Sequence, residues 1–153
     1  MKFGRVRVED AVGAMLAHAT VAGTRRFRKA HRLTSEDIAH LEAEGISEVV
    51  AAILAPEDLD EDAAAARLAE AMLLNGIEAK PAATGRVNLH ALHAGVFTVE
   101  KSVVDRVNSI DPAMTLATVA AFSAVERGDM VATIKIIPFA VDRNLVERAA
   151  SVL

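Results

Sequence analysis

Apolar and charged residues alternate from the start of the chain. Phe3, Val6 and Val8 interleave with Lys2, Arg5 and Arg7, as on a half-buried strand. After a turn around Gly13, residues 15–21 predict a second strand, which Gly23-Thr24 breaks. Residues 27–33 predict a third extended piece. The best-marked element follows. Thr34 is a helix cap with Asp37 three residues on, and Leu33 and Ile38 flank the cap as a hydrophobic staple does. Ile38 and Leu41 continue an apolar stripe. Gly45 suits the left-handed stop position, with Ile46 folding back onto Leu41. Residues 49–54 are an apolar strand, so residues 1–54 predict β-β-β-α-β.

The acidic stretch 56–62 leads into a second helix capped by Asp58 or Asp60 and running to about residue 74. Ala65, Leu68, Ala69 and Met72 form its apolar face, and Asn75-Gly76 ends it. Residues 77–84 are extended. Residues 86–92 and 96–99 predict strands joined near Ala94-Gly95. A short helix over 101–108 turns Val103, Val104 and Val107 inward, and strands are predicted over 114–122 and 130–139. Asp142 caps a last helix that is still apolar at Val152-Leu153.

Short strands punctuated by turns, with three to four short helices, predict an α+β chain of small mixed or antiparallel sheets, β-clip or barrel-like. The connecting helix allows two lobes. The expected plan is a β-rich region over 1–55, an α+β region over 56–140 and a terminal helix over 141–153. That helix is read as leading into a downstream domain; a helix docked on its own core is the alternative.

Composition narrows the chemistry. The 153 residues hold 52% hydrophobic residues but no Trp or Tyr and five Phe, so the core must be aliphatic. A net charge of −4 argues against nucleic acid and anionic membranes as partners. The absence of Cys removes disulfides, thiolate metal sites and thiol nucleophiles. Residues 1–10 have neither a leader pattern nor a membrane span, and a cytoplasmic location is expected. No P-loop or Gly-x-Ser-x-Gly elbow occurs. The 21 carboxylates fall mostly at helix starts and turns, and none is singled out as catalytic.

Two segments remain as candidate binding sites. Arg25, Arg26, Arg28, Lys29, His31 and Arg32 crowd into eight residues, and guanidinium groups hold phosphates and carboxylates through paired hydrogen bonds. Arg26 and Arg28 are taken from it as ligand-contacting candidates; the alternative is a solvated hairpin tip guarding an edge strand. With one aromatic, Phe27, it lacks the stacking platform of single-strand binders. The second segment is 84–88. Gly85 lets the backbone approach a ligand, and Arg86 and Asn88 offer donors two apart on one side of a strand, which suits an anionic or pterin-like group. The alternative is a strand start with a bulge glycine. His90 and His93 share a face only on a helix, and extended structure is expected here, so no metal site is assigned.

Several stretches in order carry a family likeness. Residues 9–18 read Glu-Asp-Ala-Val-Gly followed by Leu-x-His. Residues 27–38 read Phe-Arg-Lys-x-His-x-Leu-Thr-x-Glu-Asp-Ile, and residues 41–49 read Leu-x-x-x-Gly-Ile-x-x-Val. Residues 84–89, 106–110 and 128–138 continue the series. The chain resembles the N-terminal region of bacterial molybdopterin-binding proteins related to molybdopterin molybdenumtransferase. That resemblance implies an accessory region of a protein of molybdenum-cofactor synthesis or molybdate insertion. Its ligand would be molybdopterin or its nucleotide form, its neighbour a downstream molybdopterin-binding domain, and its contacts Gly85, Arg86, Asn88, Arg26 and Arg28. The Thr-Gly-Asp-Glu-like motif of the molybdopterin-binding domain is missing, so the chemistry is expected outside residues 1–153. The competing readings are a structural or dimerisation module that positions a catalytic neighbour, and a β-clip-like lid of a sugar- or acid-processing enzyme.

Overall fold

The alternation at the N-terminus becomes strand β1 (Lys2–Arg7), and a 3-10 turn (Val8–Asp10) then buries Val8. The computed structural model describes residues 1–72 and 75–153. These fall into two units, Met1–Glu57 and Asp58–Leu153.

In the first unit the chain continues through β2 (Met15–Leu16), β3 (Thr20–Ala22) and β4 (Arg25–Phe27). Helix α1 (Ser35–Ala43) and β5 (Glu48–Ile53) complete it. Strand β5 is the middle of a three-stranded antiparallel sheet between β1 and β2, and β3 and β4 form a separate hairpin. The single strand expected over 15–21 is thus two. Ala17 still donates to the Val50 carbonyl, but the chain then bends so that β3 can pair with β4. The extended piece expected over 27–33 ends at Phe27 because Ala30 takes a left-handed conformation (φ 64°), leaving one bridge between Arg32 and Met15.

Helix α1 has both halves of a capping box. The Asp37 N–H donates to Thr34 Oγ1 (3.2 Å), and the Thr34 N–H donates to Asp37 Oδ2 (3.0 Å). Gly45 (φ 75°) closes the helix, with Gly45 N–H on the Glu42 carbonyl and Ile46 N–H on that of Leu41. Leu16, Phe27, Leu33, Ile38, Leu41 and Val49 form the core of this unit.

The second unit starts with β6 (Asp58–Asp60) and α2 (Glu61–Ala71); the Ala63 N–H donates to Asp60, which is the cap. The expected helix end near 74 lies outside the described residues. There follow β7 (Ile77–Ala79), β8 (Arg86–Ala91), β9 (Gly95–Phe97), α3 (Lys101–Asn108) and β10 (Met114–Thr118). Strands β11 (Ser123–Val125), β12 (Met130–Ile136) and β13 (Ala140–Asp142) lead to α4 (Arg143–Ala150), capped by Asp142.

The main sheet is antiparallel, in the order β10-β12-β8-β7. Strands β8 and β9 do not pair as a hairpin: β8 lies between β12 and β7, and β9 turns away to pair with β11. The strand expected to reach Phe122 stops at Thr118, and Phe122 itself has φ 64°. The strand expected to reach 139 stops at Ile136, two residues before Pro138, which has no N–H to donate. Val87, Leu89, Leu116, Ile134 and Ile136 of the sheet bury their side chains with Leu68 of α2 and Val146 of α4. Arg67 bridges the two helices through a fork to Glu147, at 3.0 and 2.7 Å. Val152 and Leu153 are half-buried against this core.

The architecture is α+β, four helices with small antiparallel sheets and no closed barrel among the described residues. No helix among the described residues is long and apolar enough to cross a membrane.

Candidate functional site

In a strand successive side chains face opposite ways. Val87, Leu89 and Ala91 of β8 are buried, so Arg86, Asn88 and His90 project from the other face of the sheet. The same alternation in β12 buries Ile134 and Ile136 and leaves Thr133 and Lys135 on that face. Thr115 and Ala117 of β10 and Glu78 of β7 complete it.

The register decides which of these side chains meet. Arg86 is paired with Lys135, and Asn88 with Thr133. Lys80 lies beside Asn88, its N–H on the Asn88 carbonyl. The Thr133 hydroxyl donates to Asn88 Oδ1 at 2.8 Å, which orients the amide. The amide nitrogen of Asn88 has no protein partner among the described residues. Lys135 donates from Nζ to the Thr84 carbonyl at 3.1 Å. Neither Arg86 nor Lys135 has a carboxylate partner among the described residues. One row away, Glu78 pairs with Lys80, and the ammonium holds the Glu78 carboxyl below the usual carboxylate range.

Like charges directly opposite in an antiparallel pair repel. The Arg86–Lys135 pair is therefore an unfavourable element of the sheet by itself, and an anion bridging it would remove that penalty. The sheet face thus offers two cations and one amide N–H group to an oxyanion, the amide oriented by the Thr133 hydroxyl.

Gly85 serves a different end. Thr84 (φ 51°) and Gly85 (φ 70°) are the two central residues of the tight turn closed between Ala83 and Arg86. The Gly85 N–H donates to Asp62 Oδ1 at 2.7 Å, and a Cβ at Gly85 would stand 2.8 Å from the Ile136 carbonyl. The close approach expected at this glycine is thus made to the chain's own α2 and β12, not to an open ligand face. His90 lies opposite Glu78 and His93 beyond the end of β8; among the described residues no three metal-ligating side chains converge.

Arg26 and Arg28 belong to the first unit, Arg26 within β4 and Arg28 just after it. They flank buried Phe27 and are both exposed. Arg25 is paired with Asp37 (2.8 Å), as is His31 (2.8 Å), and the Arg25 guanidinium lies over the Phe27 ring. Asp37 is 1% exposed. Burial alone would push its carboxyl up, but hydrogen bonds from Thr34 and His31 outweigh that and hold it at about 2. Thr34 and Asp37 were legible as a cap; the second role of Asp37, as ion-pair partner of Arg25 and hydrogen-bond partner of His31, had no local signal. Lys135 and Thr133 were also missed as site residues, because only strand pairing sets them beside Arg86 and Asn88.

Residues 5–53 match a family described as a domain of unknown function, DUF8806. The matched stretch lies within the first unit, about a third of the chain. No curated protein and no solved structure matches.

Proposed function

We propose that this chain is a ligand-contacting accessory region of a cytoplasmic molybdopterin-binding protein, acting in molybdenum-cofactor synthesis or molybdate insertion. Arg86, Lys135 and Asn88 meet the anionic end of the cofactor or its nucleotide form, and the chemistry itself belongs to a neighbouring domain. The observation that carries this reading is the directly opposed Arg86–Lys135 pair, without a carboxylate among the described residues. The face suits a phosphate better than a flat ring: β7, β8, β10 and β12 contain no Phe, and Ala117 and Thr115 leave it open. The pterin would therefore be held mainly by the neighbouring domain, with this chain gripping the phosphate.

Titration of the chain with molybdopterin, followed by quenching of the cofactor's fluorescence, tests it. Saturable quenching is expected, weakened about ten-fold by Arg86→Gln or Lys135→Gln, as the loss of one charge-assisted hydrogen bond predicts. A purely structural module would give no saturable quenching, or quenching that both variants leave unchanged.

A further inference from the structure

We infer that the first unit carries a second oxyanion site, on the segment from Arg25 to His31, for the phosphate or diphosphate of a small ligand. The site is made of first-unit residues alone and does not depend on the sheet face of the second unit.

Three observations carry it. First, the segment is concave, lined by Arg25, Arg26, Phe27, Arg28, Lys29 and His31 with Ala30 between them. Second, Arg26 and Arg28 differ from Arg5, Arg7 and Arg25 of the same unit. Arg5 is paired with Glu48, Arg7 with Glu9 and Asp10, and Arg25 with Asp37. Arg26 and Arg28 have no carboxylate partner among the described residues, although the unit holds as many Asp and Glu as Lys and Arg.

Third, the segment is held in one shape from behind. Phe27 is buried, Arg25 and His31 are both tied to buried Asp37, and Ala30 is kept at φ 64° with its N–H on the Leu16 carbonyl at 2.8 Å. The His31 carbonyl in turn accepts from the Leu16 N–H at 3.0 Å. A merely solvated charge run needs no such anchoring. A left-handed alanine costs free energy, and holding it there fixes the backbone that carries the cations. A preorganised backbone loses less freedom on binding than a flexible loop, and guanidinium forks match the spacing of phosphate oxygens. Apart from Ala30 and Phe27, whose ring lies under Arg25, the concavity is lined by Arg, Lys and His side chains, so recognition rests on charge and hydrogen bonding.

The test is a titration of the whole 15N-labelled chain with inorganic pyrophosphate at low salt, read by amide chemical shifts. Saturable shifts are expected at residues 26–31, with an apparent Kd raised about ten-fold, equivalent to about 1.4 kcal/mol, in the Arg26→Gln, Arg28→Gln double variant. The Arg86→Gln, Lys135→Gln chain should keep these shifts unchanged, which separates this site from the sheet face. The inference is overturned by shifts that fail to saturate, by shifts that chloride reproduces at matched ionic strength, or by saturation that the double variant leaves intact.

Discussion

Asp37 shows how much one side chain can connect. It closes the capping box with Thr34, accepts from His31 and pairs with Arg25, so α1 and the cationic segment share one buried carboxylate. Thr34→Ala removes one capping bond and should cost about 1 kcal/mol in urea unfolding. Asp37→Asn removes the charge as well and should cost about 2 kcal/mol. The pH dependence follows from the same group. Its folded pKa, about 2, lies below its ordinary value of 3.8, so the folded state favours the ionised form. The resulting stability is complete above that ordinary value and is lost as pH falls from there through 2. Acid unfolding of the wild type should show this loss in the first unit, and Asp37→Asn should flatten it. Gly85 is the other residue whose identity is decided locally. Alanine there would hold an unfavourable φ of 70° and press on the Ile136 carbonyl, so Gly85→Ala should cost about 1–2 kcal/mol or more by thermal melting.

Among elements, α3 and β10 show an arrangement with no sequence signature. The Asn108 amide donates to the Leu116 carbonyl (2.9 Å) and accepts from the Leu116 N–H (2.7 Å), standing in for a neighbouring strand along β10. Removing it leaves both backbone groups without that partner, so Asn108→Ala should cost about 2 kcal/mol in chemical denaturation. The turn between β10 and β11 holds the opposite case. Phe122 has a left-handed backbone and a residue exposure of 79%, so strain there is offset by little burial. Asn tolerates that conformation, and Phe122→Asn is expected to raise stability by about 0.5 kcal/mol; a lower melting temperature would mean that the ring has a packing role. The elements themselves were legible wherever a local rule acts alone. The caps at Thr34 and Asp142, and the cap at Asp60 as one of two candidates with Asp58, follow from side chains bonding to backbone within a few residues, and the stop at Gly45 from its left-handed backbone. Strand limits were less legible, because a strand ends where its partner does. The bends after Ala17 and after Thr118 answer to pairing with β4 and β12, which lie further along the chain.

At the scale of the whole molecule, each unit has its own core, and the two cores differ in size. Among the described residues the second is built on a four-stranded sheet with three α-helices, and the first on a three-stranded sheet with one. Smaller cores bury a smaller share of their surface. Hydrogen exchange should therefore find amides of β1 and β5 opening at lower free energy than those of β8 and β12; equal protection would mean that the units unfold as one. The α+β class, an aliphatic core and the helix caps were determined by the sequence itself, because composition and short-range spacing suffice for them. The cationic run at 25–32 and the Arg86-x-Asn88 spacing were equally plain in the chain. Which side chains those residues would meet was decided only by the tertiary structure. Setting Arg86 against Lys135 requires the register of strands more than forty residues apart, and turning Asp37 toward Arg25 requires a hairpin to fold back on a helix. Local spacing fixes which way a side chain points; only long-range pairing supplies its neighbour.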